Sequence, residues 1–292
     1  DVAGRAAWVR LFDQTMVGLR FEIEGRSLSS EETLHLLSDP DGAVRKQAAT
    51  ELSRVFEQNI HIFSLIINTL AKDKEVEDKW RGYPDALTAR HLSNQVEPEV
   101  VEALVASVQK AYPRLSHRYY RLKAKWLDKC YLEHWDRNAP LLDADERIFS
   151  WADARDIVLE AYANFSKDLS EIARRFFDYG WIDAQIRAGK SPGAFSHPTV
   201  PSSHPYILLN YQGKTRDVMT LAHELGHGVH QVLAGQQGAL MASTPLTLAE
   251  TASVFGEQLT FRSLLAAEQD AARRRSMLAG KVEDMLNTVV RQ

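Results

Sequence analysis

His223, Glu224 and His227 form the pattern His-Glu-x-x-His, whose residue types and spacing suit metal-dependent hydrolysis. In an α-helix, residues four positions apart lie roughly 40° apart around the axis and one turn along it. The two imidazoles then point the same way and can share one tetrahedral metal ion. Glu224, about 100° round from His223, can reach a water molecule at an open coordination position. The pattern therefore predicts a zinc peptidase site with Glu224 as the base.

The residues around this pattern bear on whether it is a metal site, because the pentapeptide alone also fits a pair of solvated surface histidines. Several apolar residues give the helix faces that pack into the protein, and these are Val218, Leu221, Ala222, Leu225 and Val229. Gly226 and Gly228 are poor helix residues, each costing up to about 1 kcal/mol relative to alanine. We therefore favour the metal site, and we expect another element to approach the helix closely at this turn.

A third ligand is needed, and two motifs are known to supply one. The extended motif requires glycine at position 230 and histidine at position 233, whereas this chain has His230 and Leu233, so that class is excluded. A glutamate on a second helix is the other source, and Glu250 fits it. Glu250 and Glu257 share one face of a largely apolar segment, which predicts a metal partner for one carboxylate and a histidine N–H for the other. The alternative is a solvated face with incidental acids.

Further motifs accompany these candidates, namely residues 216–227 and 248–253, residues 189–196 and 204–211, and residues 19–25, 38–41 and 79–83. Together they resemble the oligoendopeptidase F branch of the thimet-oligopeptidase-like zinc metallopeptidases, and the resemblance covers essentially the whole chain. It implies one zinc ion per chain, with His223, His227 and Glu250 as ligands and Glu224 as general base and acid. It also implies short peptides as substrates, which reach the zinc through a deep channel between helices.

The resemblance implies a domain organisation as well. Residues 1–188 are expected to form a mostly helical substrate-channel region, and residues 189–292 a small sheet with the zinc-binding helices, both within one catalytic domain. The family's chains are longer, and their C-terminal part carries a histidine and several tyrosines that line the channel and stabilise the oxyanion. We therefore expect this chain to be a fragment of the enzyme and a poor peptidase by itself.

Bulk composition excludes several other classes of protein. The 292 residues carry a net charge of −4, with basic and acidic residues distributed along the chain, so no basic tract predicts nucleic-acid binding. No apolar run approaches the roughly 18 residues of a transmembrane helix, and residues 1–20 lack a signal-peptide layout. The single cysteine, Cys130, agrees with a reducing compartment. The expected location is the cytoplasm.

The chain is predicted to be mainly α, with a small β-sheet before the metal-binding helix. Apolar residues recur at helical spacing in 43–71, 98–130, 152–175 and 266–290, and Pro113 is expected to divide the second segment. Helix starts are predicted at Ser29 and within residues 38–41. A turn at 189–193, a strand at 194–196, a proline-containing loop and a strand at 206–211 closed by Gly213 make up the predicted sheet region.

The predicted sheet offers an edge to which a peptide substrate can bind. An extended substrate can add to an exposed sheet edge through main-chain hydrogen bonds, whatever its side chains are. Gly193, Ala194 and Phe195 are the candidates for these contacts, and a purely structural hairpin is the alternative. Asp217 or Glu257 is expected to orient the histidines from behind the metal.

The sequence is compatible with three functional hypotheses. A zinc endopeptidase for short peptides is the leading hypothesis. An aminopeptidase would need acidic residues that bind the free amine of the substrate, and no recognisable motif supplies them. A helical metal-binding or scaffolding domain without catalysis is the third. Metal content and hydrolysis of a quenched internal peptide would separate them.

Overall fold

Most of the chain is helical, which confirms the fold class expected from the three- and four-residue spacing of its apolar side chains. The computed structural model describes residues 3–140, 147–187, 190 and 193–290. The α-helices are α1 Arg5–Gly18, α2 Ser30–His35, α3 Gly42–Gln58, α4 Ile60–Arg81, α5 Thr88–Asn94, α6 Pro98–Ala111, α7 Ser116–Trp126, α8 Trp151–Ala163, α9 Lys167–Asp178, α10 Thr215–Gly235, α11 Leu246–Ala267 and α12 Ala271–Val290. The strands are β1 Phe21–Ile23, β2 Arg26–Leu28, β3 Ile182–Asp183, β4 Phe195–His197 and β5 Tyr206–Leu208. Short 3₁₀ helices cover Leu36–Ser38 and His134–Asp136. No described helix has the length and apolar character to cross a membrane.

Side chains at the two predicted helix starts cap α2 and α3. Ser29 and Glu32 form a reciprocal capping box at α2, and the Asp41 carboxylate accepts the N–H of Ala43 at 2.8 Å at the start of α3. The predicted division at Pro113 is also confirmed, because α6 ends at Ala111 and α7 begins at Ser116.

Several helix boundaries differ from those that the apolar periodicity predicts; α4, for example, continues to Arg81, past the predicted end at 71. Three of the differences have a local polar cause. The predicted helix 43–71 breaks at Asn59, whose side-chain amide donates to the Val55 carbonyl at 2.9 Å. The segment 152–175 breaks before Ser166, whose hydroxyl accepts the N–H of Leu169. The last helix begins at Ala271 rather than at residue 266, because Asp270 accepts the N–H of Arg273 at 2.8 Å. Polar caps end helices at points where apolar spacing continues.

The chain divides into two compact units. The first comprises Asp1–Leu92, Glu97–Leu142 and Asp284–Gln292, and the second comprises Ser93–Val96 and Asp143–Glu283. The first unit has a small core, whose buried residues are Leu19, Phe21, Leu52 and Val55. It also holds a buried ion pair between Arg45 and Asp136 at 2.7 Å. The second unit contains the candidate metal ligands, in a larger core built by α8, α9, α10 and α11 with the sheet.

The second unit contains a three-stranded sheet in the order β3-β5-β4. Strand β5 lies between a parallel neighbour, β3, and an antiparallel neighbour, β4, with Ser196 opposite Ile207. The predicted strand 194–196 is therefore present but begins one residue later, and the strand predicted at 206–211 ends at Leu208. The sequence did not predict β3. Residues 189, 191 and 192 of the predicted turn lie outside the described residues.

Candidate metal centre

Helix α10 carries the His-Glu-x-x-His pattern on an element packed into the core. The apolar residues expected to anchor it are all buried, and these are Val218, Leu221, Ala222, Leu225 and Val229. Their burial holds the backbone of α10 fixed, which leaves its polar face to present His223, Glu224 and His227. Tyr162 of α8 adds a buried polar link, because its hydroxyl donates to the carbonyl of Ala222 at 2.6 Å.

Gly226 and Gly228 allow two neighbours to approach α10, as the sequence predicted. A Cβ atom at position 226 would lie 2.5 Å from the Ala252 carbonyl oxygen on α11. A Cβ atom at position 228 would lie 2.6 Å from the ring of Phe176 on α9. Glycine at 226 therefore sets the short distance between α10 and α11, which brings Glu250 of α11 to the histidines of α10.

The three predicted ligands converge on one point. One carboxylate oxygen of Glu250, Oε2, lies 3.2 Å from His223 Nε2 and 3.3 Å from His227 Nε2. The ligand atoms of the three residues all lie within 4.8 Å of one another. Ligands about 2.0–2.2 Å from a tetrahedral zinc ion would be roughly 3.4 Å apart, so the observed spacing and the donor types both fit zinc. Glu250 is exposed, which leaves the group accessible from solvent.

Each histidine has a hydrogen-bond partner in addition to Glu250. Nδ1 of His223 lies 3.3 Å from Oε2 of Glu257, whose other oxygen contacts the Lys281 ammonium. The ring of His227 hydrogen-bonds the main-chain carbonyl of Ala249. Such partners fix the tautomer and the orientation of a metal-ligating imidazole. The second carboxylate of α11 is thus directed at a histidine, as its position in an apolar segment predicted.

Asp217, the other candidate for orienting the histidines, lies at the start of α10. Its carboxylate accepts the main-chain N–H groups of Gln212 at 2.9 Å and Lys214 at 3.0 Å. These bonds satisfy main-chain donors at and just before the N-cap of α10, and a carboxylate in the first turn also interacts favourably with the helix dipole. Glu257 is therefore the candidate that the structure brings to a predicted ligand, His223.

Glu224 sits beside this group, with 7% of its surface exposed. The pKa of Glu224 is raised to about 7, because burial and the charge of Glu250 raise it by more than His223 and the main-chain N–H of Ser196 lower it. A carboxyl group with a pKa near neutrality can both accept and return a proton at physiological pH. Its position next to the ligands, without belonging to them, suits a general base.

The histidine and Glu257 pKa values reflect burial and neighbouring charge. Burial lowers the pKa of His223, but its hydrogen bond to the Glu257 carboxylate and the charges of Glu224 and Glu250 outweigh this effect, so the pKa is raised. The pKa of His227 is lowered by burial and by His223, against the charge of Glu250. Burial raises the pKa of Glu257, yet its bonds to His223 and Lys281 leave it below the usual value. An ionised Glu257 can accept the His223 N–H.

Several residues that support the site were missed from the sequence. Ser253 donates its hydroxyl to Glu250 Oε2 at 2.8 Å, and the ammonium of Lys281 contacts Glu257. Gln231 bonds Ser196 of β4 through both its amide atoms. Helical spacing could have indicated two of them, because Ser253 follows Glu250 by three positions and Gln231 follows His227 by four. Lys281 gives no such signal, because it lies on a separate helix.

Strand β4 presents few free main-chain groups near Glu224. Phe195 pairs with Leu208 inside the sheet, and the Gly193 carbonyl accepts the Asn210 amide at 3.0 Å. The main-chain N–H of Ser196 hydrogen-bonds Glu224, and its carbonyl accepts from Gln231 at 3.2 Å. Of the three predicted backbone contacts, Gly193 and Phe195 therefore have main-chain groups engaged in the fold. Ala194 lies between them, next to the edge of the sheet.

The close approach of α11 to α10 at Gly226 leads to a prediction about zinc affinity. Gly226→Ala is expected to weaken zinc binding about 10–100-fold, because the added methyl group pushes α11, and Glu250 with it, away from the histidines. Overpacking of this kind should also cost about 1–3 kcal/mol of stability. Gly280→Ala is the control, since a Cβ there meets open space within helix α12. Competition with a chromophoric chelator measures the affinity, and equal values for the two variants would contradict the prediction.

Comparison with known proteins agrees with this geometry. Residues 35–292 match the model of Peptidase family M3. The chain is 30% identical over 258 residues to the chromosomal oligoendopeptidase F of Lactococcus lactis subsp. cremoris, covering 88% of this chain and 42% of that protein. It is 28% identical over 274 residues to an oligoendopeptidase F homolog of Borreliella burgdorferi, covering 93% and 46%. Its fold is similar to that of oligoendopeptidase-F from Enterococcus faecium, with a TM-score of 0.66 and 24% identity over 98% of this chain and 45% of that one. The chain thus spans less than half the length of these relatives.

Proposed function

Because the chain belongs to peptidase family M3, we propose that it carries the zinc site of an endopeptidase that hydrolyses internal bonds of short peptides. The convergence of His223, His227 and Glu250 beside the buried Glu224 carries this proposal. The names of the relatives support the substrate class, since those proteins are oligoendopeptidases. We also propose that the whole chain is part of one catalytic domain. The cytoplasmic location stays a prediction.

The proposed roles follow from the positions of the side chains. His223, His227 and Glu250 would hold the zinc ion, which when bound supplies a Lewis acid that polarises the peptide carbonyl and activates water. Glu224 accepts the proton from the attacking water at its carboxylate and then delivers it to the leaving amine. Glu257 keeps the His223 ring in place by accepting its Nδ1–H, and the Ala249 carbonyl holds the His227 ring through a hydrogen bond.

We propose that the substrate main chain binds along the edge of β4. Strand β4 lies at one edge of its sheet and runs beside α10, where its Ser196 reaches Glu224. Alternate residues of an extended strand direct their main-chain groups to the same side, so Ala194 should share the outward side of Ser196. Main-chain pairing at Ala194 would fix the peptide without reading its side chains, which predicts broad sequence tolerance.

Two matched peptides test the function on the zinc-loaded, full-length gene product. Both carry an internal quenched fluorophore pair and one sequence, but only one has a free α-amine, the other being N-acetylated. An endopeptidase cleaves both at an internal bond, an aminopeptidase releases residues only from the free amine, and a scaffold binds zinc without cleaving either. Cleavage confined to the free-amine peptide, or zinc binding without turnover, would overturn the proposal.

Substrate length gives a further prediction. Short peptides should be cleaved much faster than a folded protein, because the family's helices are expected to enclose the zinc in a deep channel that admits extended chain. The measurement compares the initial rate on a short peptide with the rate on a folded protein containing the same segment in a surface loop. Equal rates would contradict the channel, and the unfolded form of that protein controls for the sequence.

A further inference from the structure

Strand β4 and helix α10 meet at Ser196, and three hydrogen bonds converge on that residue. The main-chain N–H of Ser196 bonds the Glu224 carboxylate. Its hydroxyl donates to Gln231 Oε1 at 2.8 Å, and its carbonyl accepts from Gln231 Nε2 at 3.2 Å. Glu224 and Gln231 are about two helical turns apart on the same face of α10, so this face contacts Ser196 through two residues.

The bonds between Gln231 and Ser196 involve both polar atoms of the side-chain amide. A glutamine side chain carries an accepting carbonyl oxygen and a donating NH₂ group, and here a single partner residue bonds both. Two bonds in opposite directions fix both the position and the orientation of a strand segment, whereas one bond leaves it free to pivot. Phe195 and His197 pair with β5, so the sheet holds β4 on its other side.

We propose that Gln231 is a positioning residue that acts through Ser196. Its two hydrogen bonds hold β4 against α10, which keeps the Ser196 N–H on the Glu224 carboxylate and the substrate-binding edge of β4 in register with the metal ligands. This inference rests on the proposed function, because it assigns Gln231 to the alignment of peptide, base and metal. Gln231 belongs to neither the ligand group nor the contacts of Glu257, so its role is separable from zinc binding.

Gln231→Leu tests the inference on the zinc-loaded, full-length gene product with a short internally quenched peptide. We expect kcat/KM to fall about 10–100-fold, with a higher KM, because a small displacement of the binding edge misplaces the scissile carbonyl. Zinc affinity should stay within about twofold of the wild type, since no ligand contact is lost. Gln236→Leu, at an exposed glutamine directly after α10, is the matched control and should keep wild-type kinetics.

A second variant makes the test specific. Ser196→Ala removes the hydroxyl bond to Gln231 and keeps the main-chain bonds, so its loss should be smaller than that of Gln231→Leu. The double variant should be no worse than Gln231→Leu alone, because both changes act on one pair. Unchanged KM in Gln231→Leu, a loss explained by missing zinc, or additive effects in the double variant would each overturn this inference. A wild-type protein that cleaves no peptide would overturn the proposed function as well.

Discussion

Replacing Glu224 with glutamine is expected to lower kcat about 10²–10⁴-fold, the usual contribution of a general base, while zinc binding persists. Glutamine has nearly the same shape but cannot accept the proton from water. Zinc affinity should hold because Glu224 lies outside the group formed by His223, His227 and Glu250. The measurement is peptide hydrolysis by the full-length gene product, normalised to bound zinc.

The control for Glu224→Gln is Glu171→Gln, the same change at an exposed position of α9. It should keep wild-type kcat, zinc affinity and thermal stability. Wild-type kcat in Glu224→Gln would show that another group takes the proton, and Glu224 would lose its proposed role. Loss of zinc from Glu224→Gln would instead contradict the ligand assignment, because it would place Glu224 among the ligands.

The core of the site could be predicted because its signals lie within single helices. The spacing of His223 and His227 predicts that they share one face, and the glycine at 226 predicts a close neighbour. Glu250 and Glu257 were found by a related argument, since carboxylates in an apolar helix need partners. Each of these inferences needs only the geometry of one helix and the cost of burying charge.

The features that the sequence did not predict depend mostly on contacts between segments that are far apart in the chain. Gln231 and Ser196 are 35 positions apart, and Lys281 and Glu257 are 24 apart, with no periodic pattern linking either pair. Strand β3 spans two residues, too few to show alternation. The breaks near Asn59 and Ser166 follow from single side-chain hydrogen bonds, which apolar spacing does not record. The sequence thus predicted the proposed ligands, while tertiary contacts determine how these side chains are held.

Replacing a proposed metal ligand gives the other large expected effect. His227→Ala should weaken zinc binding on the order of 10²–10³-fold, because zinc sites of about 10–16 kcal/mol share that free energy among a few ligands. Removing His227 also leaves Glu250 with one histidine partner in place of two. Isothermal titration or chelator competition with the purified protein measures the loss, independently of any peptidase activity.

His230→Ala is the matched control for this change, since His230 lies on the same helix, three positions further on, and is not in the ligand group. Its zinc affinity should stay close to that of the wild type. If both alanine variants bound zinc equally well, the ion would have to be held elsewhere, and the roles proposed for Glu250 and Glu224 would fall with His227. A loss confined to His227→Ala would separate a specific ligand from the general affinity of a histidine-rich helix, a distinction that spacing within one helix cannot make.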